Sequence, residues 1–410
     1  MDIKITPSVL GGMAEAPASK SVAHRMLICA ALADRKSTIR INKTSEDIEA
    51  TAGCLESLGV AIEKNGELWT VIPPDSFPDK ATLDCGESGS TLRFMLPVVS
   101  ALGIAATLTG HGRLPERPIA PLLDEIKKHG VKAESGFPIK VSGKLTGGKY
   151  KIAGNISSQF ITGLLLALPL CDGESEIKVI PPVESKPYID ITTSVLADFG
   201  IEIKENGNIY SVFPTRPTGG AFTAEGDWSN GAFLLAMGVD VTGLREKSVQ
   251  GDRKILDVLR SLGAQIKESN DTFSADVSHL HGAEIDAADI PDLVPVISAL
   301  ASTAQGETRI YNASRLRLKE SDRIETTVRM INSLGGEAVA TNDGLIIKGK
   351  SKLSGGTVDG CGDHRIVMSA AVAAANCENP VIITGAQAVN KSYPEFFNEY
   401  ISLGGKIDVL

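Results

Sequence analysis

Aromatic residues are scarce: two tryptophans, six tyrosines and eleven phenylalanines account for 5% of the 410 residues. The core must therefore be filled with Leu, Ile, Val and Ala at the close packing normal for protein interiors. Basic blocks are missing too, and the formal net charge is −9. That argues against a surface tracking nucleic-acid phosphates, which needs clustered Lys and Arg, so any anion site must be local. The longest apolar run, ITGLLLALPLC, falls well short of the ~20 residues that a membrane-spanning helix needs. The opening MDIKITPSVLGG lacks the basic-then-apolar layout of a signal peptide. Cys29, Cys54, Cys85, Cys171, Cys361 and Cys377 form no CxxC pair and read as reduced core thiols. A cytoplasmic chain without a membrane partner is expected. His279 and His281 have no Cys, Asp or Glu at metal-ligand spacing, so no metal site is expected there.

What is present is a globular balance, 42% hydrophobic and 22% charged, at a length suited to two or three domains. Six segments share one local grammar: a helix-spaced apolar stretch, a glycine, then a short alternating strand. They are LESLGVAIEKNG, IKKHGVKAESG, LADFGIEIKENG, LRSLGAQIKESN, INSLGGEAVATNDG and ISLGGKIDV. Their glycines are Gly59, Gly130, Gly200, Gly263, Gly335 and Gly404, at intervals of 71, 70, 63, 72 and 69 residues. Glycine suits the position because the residue after a helix end often turns left-handed. Near-constant spacing predicts one supersecondary unit used six times. Three units make a domain of ordinary size, so two similar domains are expected. They should join near EGDWSNGAF, within the shortest interval. A propeller or open solenoid is the competing reading, but such repeats usually run roughly 20–50 residues.

Polar residues gather at helix starts. PASKSVAHR carries Lys20, Ser21 and Arg25, and DCGESGSTLRFM carries Arg93 behind a small-residue turn. GRLPERPIAP carries Arg113 and Arg117, NISSQF carries Ser157, Ser158 and Gln159, and VESKPYID carries Ser185, Lys186 and Tyr188. Later come Asp292 in DIPDLVP, the charged run RLRLKESDRIE, then Asp363, His364 and Arg365 in CGDHRIVMSA, and Lys391 in NKSYPEFF. Singly, each is an ordinary N-cap worth roughly 1 kcal/mol or a solvated face. GESGS lacks the spacing and lysine of a P-loop. Together, helix N-termini with Lys, Arg and Ser predict a trap for phosphate and carboxylate groups.

In order along the chain, SKSVAHR, GESGSTLR, LPERPI, SSQF, SKPYIDIT, EGDWSNGAFLLA, IPD, LKESDRI, GDHRIVMSA and NKSYPEFF resemble the 5-enolpyruvylshikimate-3-phosphate synthase family. SKPYIDIT and KESDRI are the specific ones; the others count by their order. The resemblance implies an α/β (α+β) chain of two similar domains. Each would hold three βαβαββ units with pseudo-threefold symmetry, in agreement with the glycine repeat. It places residues 13–226 in the first domain and 1–12 with 227–410 in the second. The chain would cross near 12–18 and 224–228, and the active site would lie in the interdomain cleft.

The implied reaction joins phosphoenolpyruvate to the 5-hydroxyl of shikimate 3-phosphate and releases phosphate. It needs an acid, a base and neutralisation of three anionic groups. By resemblance Asp292 is the base and Glu320 the acid, with Lys20 sharing proton traffic. Lys20, Gly89, Arg93, Arg117, Gln159, Arg323, Arg365 and Lys391 are implied for phosphoenolpyruvate. Shikimate 3-phosphate is assigned Lys20, Ser21, Arg25, Ser157, Ser158, Gln159, Ser185, Tyr188, Asp292, Arg315 and Lys319. No cofactor is implied, because phosphoenolpyruvate already carries the activated enol. A monomer is expected.

Two positions depart from the family pattern. Its Gly-Asn-Ala-Gly-Thr turn reads Gly86-Glu87-Ser88-Gly89-Ser90, placing a carboxylate beside an anionic substrate, and the asparagine expected four residues before Lys319 is Arg315. Gly89 is retained, which by resemblance leaves room for glyphosate, so sensitivity is expected. UDP-N-acetylglucosamine enolpyruvyl transferase is the rival on the same fold. It commonly has a cysteine in the loop that reads TGHGRLPERP here, without one. RNA 3′-phosphate cyclase, with a related unit, would need nucleotide handling. A non-catalytic anion-binding protein is the rival of another class, and it would be expected to lose Asp292 and Glu320.

Overall fold

The computed structural model describes residues 1–134, 136–269 and 271–410. Its strands pair into six four-stranded sheets of one topology, a parallel pair followed by two antiparallel neighbours. In one of them Lys80–Asp84 runs parallel to Ala105–Thr109, which pairs with Ile139–Ser142 and that strand in turn with Lys132–Ala133. A helix, Gly89–Ala101, crosses between the parallel strands, and a second, Ala120–Lys127, leads into the antiparallel pair. The six repeat glycines all have positive φ, from 79° to 101°. A Cβ would disfavour that conformation, which is why the signal survives at every repeat.

Two kinds of helix follow from the sequence pattern. The crossover helices are apolar all round and become core: in Gly89–Ala101 every residue except Ser90 is buried. The other helices are amphipathic. Glu46–Glu56 buries only Ile48, Thr51, Ala52, Cys54 and Leu55, and keeps its acidic first turn near solvent. The strands alternate in the same way, with Ile139 and Val141 inside and Lys140 outside.

The chain forms two compact units, Ala18–Ala224 and Met1–Pro17 with Glu225–Leu410. Each has its own hydrophobic core, made largely of Leu, Ile, Val and Ala. At each passage between units, the last strand before the passage completes a sheet of the unit being left. Met13–Glu15 pairs with Asp240–Thr242, and Ala221–Thr223 pairs with Ser37–Arg40. Residues 13–17 and 225–226, assigned on sequence to the first domain, therefore belong with the C-terminal unit. A three-residue strand has no structure apart from its ladder partner, and that partner lies more than two hundred residues away. Ile3–Thr6 likewise fills the last sheet, between Val381–Thr384 and Lys406–Val409. Among the described residues no helix is long and apolar enough to cross a membrane.

Candidate active site

In the unit Ala18–Ala224, Arg25 ties three helix starts together. Its guanidinium donates to Ser21 O (2.5 Å), Thr162 Oγ1 (3.1 Å), Thr192 Oγ1 (2.8 Å) and Tyr188 O (2.9 Å), and it stacks near the Phe94 ring. Burial pulls its pKa down to about 9. Arg25 is thus mainly a brace, joining the helices Lys20–Ala31, Ser158–Ala167 and Lys186–Asp198. The serines assigned on sequence lie at those same helix starts. Ser157 caps its helix by accepting from the Gln159 N–H, Ser158 is buried beside it, and Ser185 sits at φ 55° with its hydroxyl buried and unpartnered. Helix N-termini carry partial positive charge, so three helix starts brought together favour an anion.

Lys20 extends from the first of these helices to Asp47, with Nζ–Oδ2 at 2.9 Å. Arg93 donates to Gln159 Oε1 (2.6 Å) and Pro118 O (2.8 Å), while Gln159 Nε2 donates to Ser90 Oγ (2.8 Å). Gly89 opens its helix directly beneath Arg117. A Cβ built on Gly89 would stand 2.6–2.9 Å from the Arg117 guanidinium atoms. The absence of a side chain is what lets that cation lie against the helix N-terminus.

Below this surface runs a buried chain that the sequence reading missed. His24 Nδ1 bonds Thr51 Oγ1 (2.7 Å), Thr51 bonds Thr91 Oγ1 (2.7 Å), and Thr91 donates to Ser88 Oγ (2.8 Å), the cap of Gly89–Ala101. Burial, then Lys20 and Arg25, hold the His24 pKa well below its usual value. The unfolded chain therefore takes up a proton below about pH 6.5 that the folded chain refuses. Stability should be full above that pH and decline as pH falls toward the folded pKa. Between pH 7 and 5 the wild type should lose about 1–2 kcal/mol more than His24→Asn, at ~1.4 kcal/mol per pH unit for one proton. Denaturant unfolding at both pH values measures this, and equal losses would clear His24.

The second unit holds a denser cluster. Asp292 Oδ1 accepts from Lys319 Nζ (3.3 Å) and Arg323 Nη1 (2.8 Å), and Oδ2 accepts from Arg365 Nη2 (2.9 Å). Burial would raise the Asp292 pKa, but Arg365, Lys319 and Arg323 outweigh it and hold the carboxyl well below the usual range. Arg323 is only 1% exposed and spans three carboxylates. Besides Asp292 it donates to Glu320 Oε2 (2.6 Å) and to Asp363 through Nε (2.8 Å) and Nη2 (3.2 Å). Asp363 caps the helix His364–Ala374 through the Arg365 N–H (3.0 Å) and accepts from Ser321 Oγ (2.9 Å). Lys391 donates to Gly362 O (2.7 Å), next to that cap. Arg315, in the turn Ser314–Leu318, is close enough to push the Lys319 pKa down; burial is the larger cause.

The residues assigned on sequence thus fall into two clusters, one per unit. Lys20, Ser21, Arg25, Gly89, Arg93, Arg117, Ser157, Ser158, Gln159, Ser185 and Tyr188 lie in one unit, and Asp292, Arg315, Lys319, Glu320, Arg323, Arg365 and Lys391 in the other. Sequence reasoning missed Asp47, the partner of Lys20, and Asp363, which it read only as a cap. It also missed Asp252, a buried carboxyl whose pKa burial and then Asp292 push up to about 7, against Arg365. Nothing local marks Asp252, since its neighbours come from other segments.

The model of the family described as EPSP synthase (3-phosphoshikimate 1-carboxyvinyltransferase) matches residues 5–400. A 3-phosphoshikimate 1-carboxyvinyltransferase of Clostridium kluyveri is 43% identical, over 99% of this chain and 98% of its own length. One from Clostridium novyi is 41% identical, with the same coverage. Among solved structures, EPSP synthase from Acinetobacter baumannii superposes with a TM-score of 0.83 at 25% identity, covering all of both chains. The six-sheet repeat, the paired clusters and these whole-length likenesses agree, and the chain belongs to the EPSP synthase family.

Proposed function

We propose that the two clusters serve one reaction, transfer of the enolpyruvyl group of phosphoenolpyruvate to the 5-hydroxyl of shikimate 3-phosphate. The products are 5-enolpyruvylshikimate 3-phosphate and inorganic phosphate, a step toward the aromatic amino acids. The observation that carries this reading is that Asp292 and Glu320 share one guanidinium, that of Arg323, at 2.8 and 2.6 Å. Two carboxyl groups so close can act as base and acid on a single small substrate pair.

Asp292 takes the proton of the 5-hydroxyl as its oxygen adds to C2 of phosphoenolpyruvate. Glu320 protonates the methylene carbon, with Lys20 sharing the proton traffic, and a tetrahedral intermediate results. Loss of a methyl proton and departure of phosphate restore the double bond. Lys20, Arg93, Arg117, Gln159, Arg323, Arg365 and Lys391 neutralise the phosphate and carboxylate of phosphoenolpyruvate, and Gly89 lets Arg117 approach. Ser21, Ser157, Ser158, Ser185, Tyr188, Arg315 and Lys319 hold shikimate 3-phosphate, and Arg25 braces their helices. On this reading the enzyme acts as a monomer in the cytoplasm.

The test is phosphate release from phosphoenolpyruvate with and without shikimate 3-phosphate. Release that ignores the acceptor, or no release despite intact ligand binding, would defeat the reading. Gly89→Ala should drive a methyl into the Arg117 guanidinium. Steady-state kinetics should then show KM for phosphoenolpyruvate raised roughly 10–100-fold with a smaller change in kcat, and weaker competition by glyphosate, because misplacing a binding group by about 1 Å is costly. An unchanged KM would mean that Arg117 does not hold this substrate.

A further inference from the structure

The buried chain from His24 to the start of Gly89–Ala101 has a direction. His24, Thr51 and Thr91 are fully enclosed and Ser88 is 1% exposed. Each hydroxyl has one proton to give. At the last link, 2.8 Å long, Thr91 is the donor and Ser88 Oγ the acceptor; the same oxygen caps the helix by accepting the Thr91 N–H (3.2 Å). A second acceptor near the Thr91 hydroxyl, Asp47 O, stands at 3.5 Å. Having spent its proton on Ser88, Thr91 must receive one from Thr51, and Thr51 must receive one from His24. Nδ1 is therefore the protonated ring nitrogen. Nε2 is enclosed without a hydrogen-bond partner, and in a neutral ring it is then a bare lone pair. Neutrality agrees with the depressed pKa of His24. The opposite order would strand an N–H at Nε2 and leave the contact between Thr91 and Ser88 without a proton, and a buried donor left unpaired is costly.

We propose that His24 is a positioning residue for the turn that opens Gly89–Ala101, the first donor of a one-way chain whose last bond orients the Ser88 cap. Without His24, the Thr51 oxygen is free to accept from Thr91, and the proton that holds Ser88 is withdrawn. The turn carries Gly89 and Ser90, and Ser90 Oγ accepts from Gln159 Nε2 (2.8 Å), so the chain ends on the side proposed for phosphoenolpyruvate. The proposal rests on that reaction only for its kinetic arm.

NMR of the protein with 15N-labelled imidazoles reads the tautomer, His24 being identified among the six histidines by its loss in His24→Asn. A protonated Nδ1 beside a bare Nε2 is expected at neutral pH, and an Nε2–H ring would overturn the proposal. His24→Leu should speed hydrogen exchange of the Thr91 and Leu92 amides about three- to tenfold, the scale of one hydrogen bond, and raise KM for phosphoenolpyruvate by a similar factor. Changes in kcat and in KM for shikimate 3-phosphate should stay within about twofold, although His24 shares its helix with Ser21 and Arg25. His24→Asn, whose amide can donate from near the place of Nδ1, should restore both exchange and KM. Adding Thr51→Val to His24→Leu should also restore them, because Thr91 then has no acceptor as near as Ser88. Wild-type exchange and KM in His24→Leu would overturn the proposal. So would a double variant no better than His24→Leu, since lost packing would then be the cause. If wild type releases no phosphate but the tautomer and the order of exchange rates are as expected, the reaction fails and the role of His24 stands.

Discussion

Asp292→Asn should lower kcat by roughly 10²–10⁴-fold while tightening the binding of phosphoenolpyruvate. The first effect is the loss of a general base, whose usual contribution has that size. The second follows from the charge arrangement. Asp292 lies on Arg323 and Arg365, two of the cations proposed to bind the substrate's own anionic groups, as well as on Lys319. It therefore competes with phosphoenolpyruvate for positive charge, and a neutral amide would not. A gain of about three- to tenfold in affinity corresponds to about 0.6–1.4 kcal/mol, modest for a charge-assisted contact. Phosphate-release kinetics measure the first effect and calorimetric titration of phosphoenolpyruvate the second. Near-normal turnover would remove Asp292 from its role. Weaker binding would show that its charge organises the cations more than it competes for them. The same arrangement bears on the wild type, since a carboxylate among three cations is a poor base, and ligand anions drawing on those cations would restore its basicity.

Arg323→Ala should be the most destabilising single change in the second unit. Asp292, Glu320 and Asp363 would lose the guanidinium they share, at a site where Arg323 is 1% exposed and Asp363 fully enclosed. Breaking a buried pair from one side costs about 3–5 kcal/mol, because the remaining charge has neither partner nor water. For a domain of this size that is a fall of roughly 10 °C in Tm. Arg323→Lys should recover only part of it, since one ammonium cannot reach three carboxylates in the planar geometry of a guanidinium. The pH dependence has a definite sign. Asp292 has its folded pKa depressed, so its contribution is present above the unfolded value near 3.9 and is lost as pH falls through the folded value. The gap between wild type and Arg323→Ala should be widest above about pH 5 and close in acid. Denaturant midpoints from pH 7 to pH 3 check this, and a gap under about 1 kcal/mol at neutral pH would mean that the carboxylates find compensation elsewhere.

Much of the architecture was legible because its signals are local. A left-handed residue after a helix needs glycine whatever surrounds it, so Gly59, Gly130, Gly200, Gly263, Gly335 and Gly404 mark six units in the bare sequence. Helix caps are equally local: Ser88, Ser157 and Asp363 sit where hydroxyl or carboxylate followed by an apolar run places them. Residue type likewise carries ligand chemistry, and the positions that resemble the family are divided between the two units.

The partnerships were not legible. Arg25 reads as a ligand group, yet most of its donors go to Thr192, 167 residues away, Thr162, 137 away, and Tyr188 O, 163 away. Asp292 meets Arg365 across 73 residues, and the strand Met13–Glu15 finds its partner across the length of a whole unit. The sequence by itself determined the repeat, the caps and the kinds of charge available, because backbone conformation and side-chain chemistry are properties of a few consecutive residues. The tertiary structure alone decided which charges face one another and which are spent on holding the fold. Electrostatic energy and pKa depend on distances of a few ångströms between groups that the chain order leaves far apart.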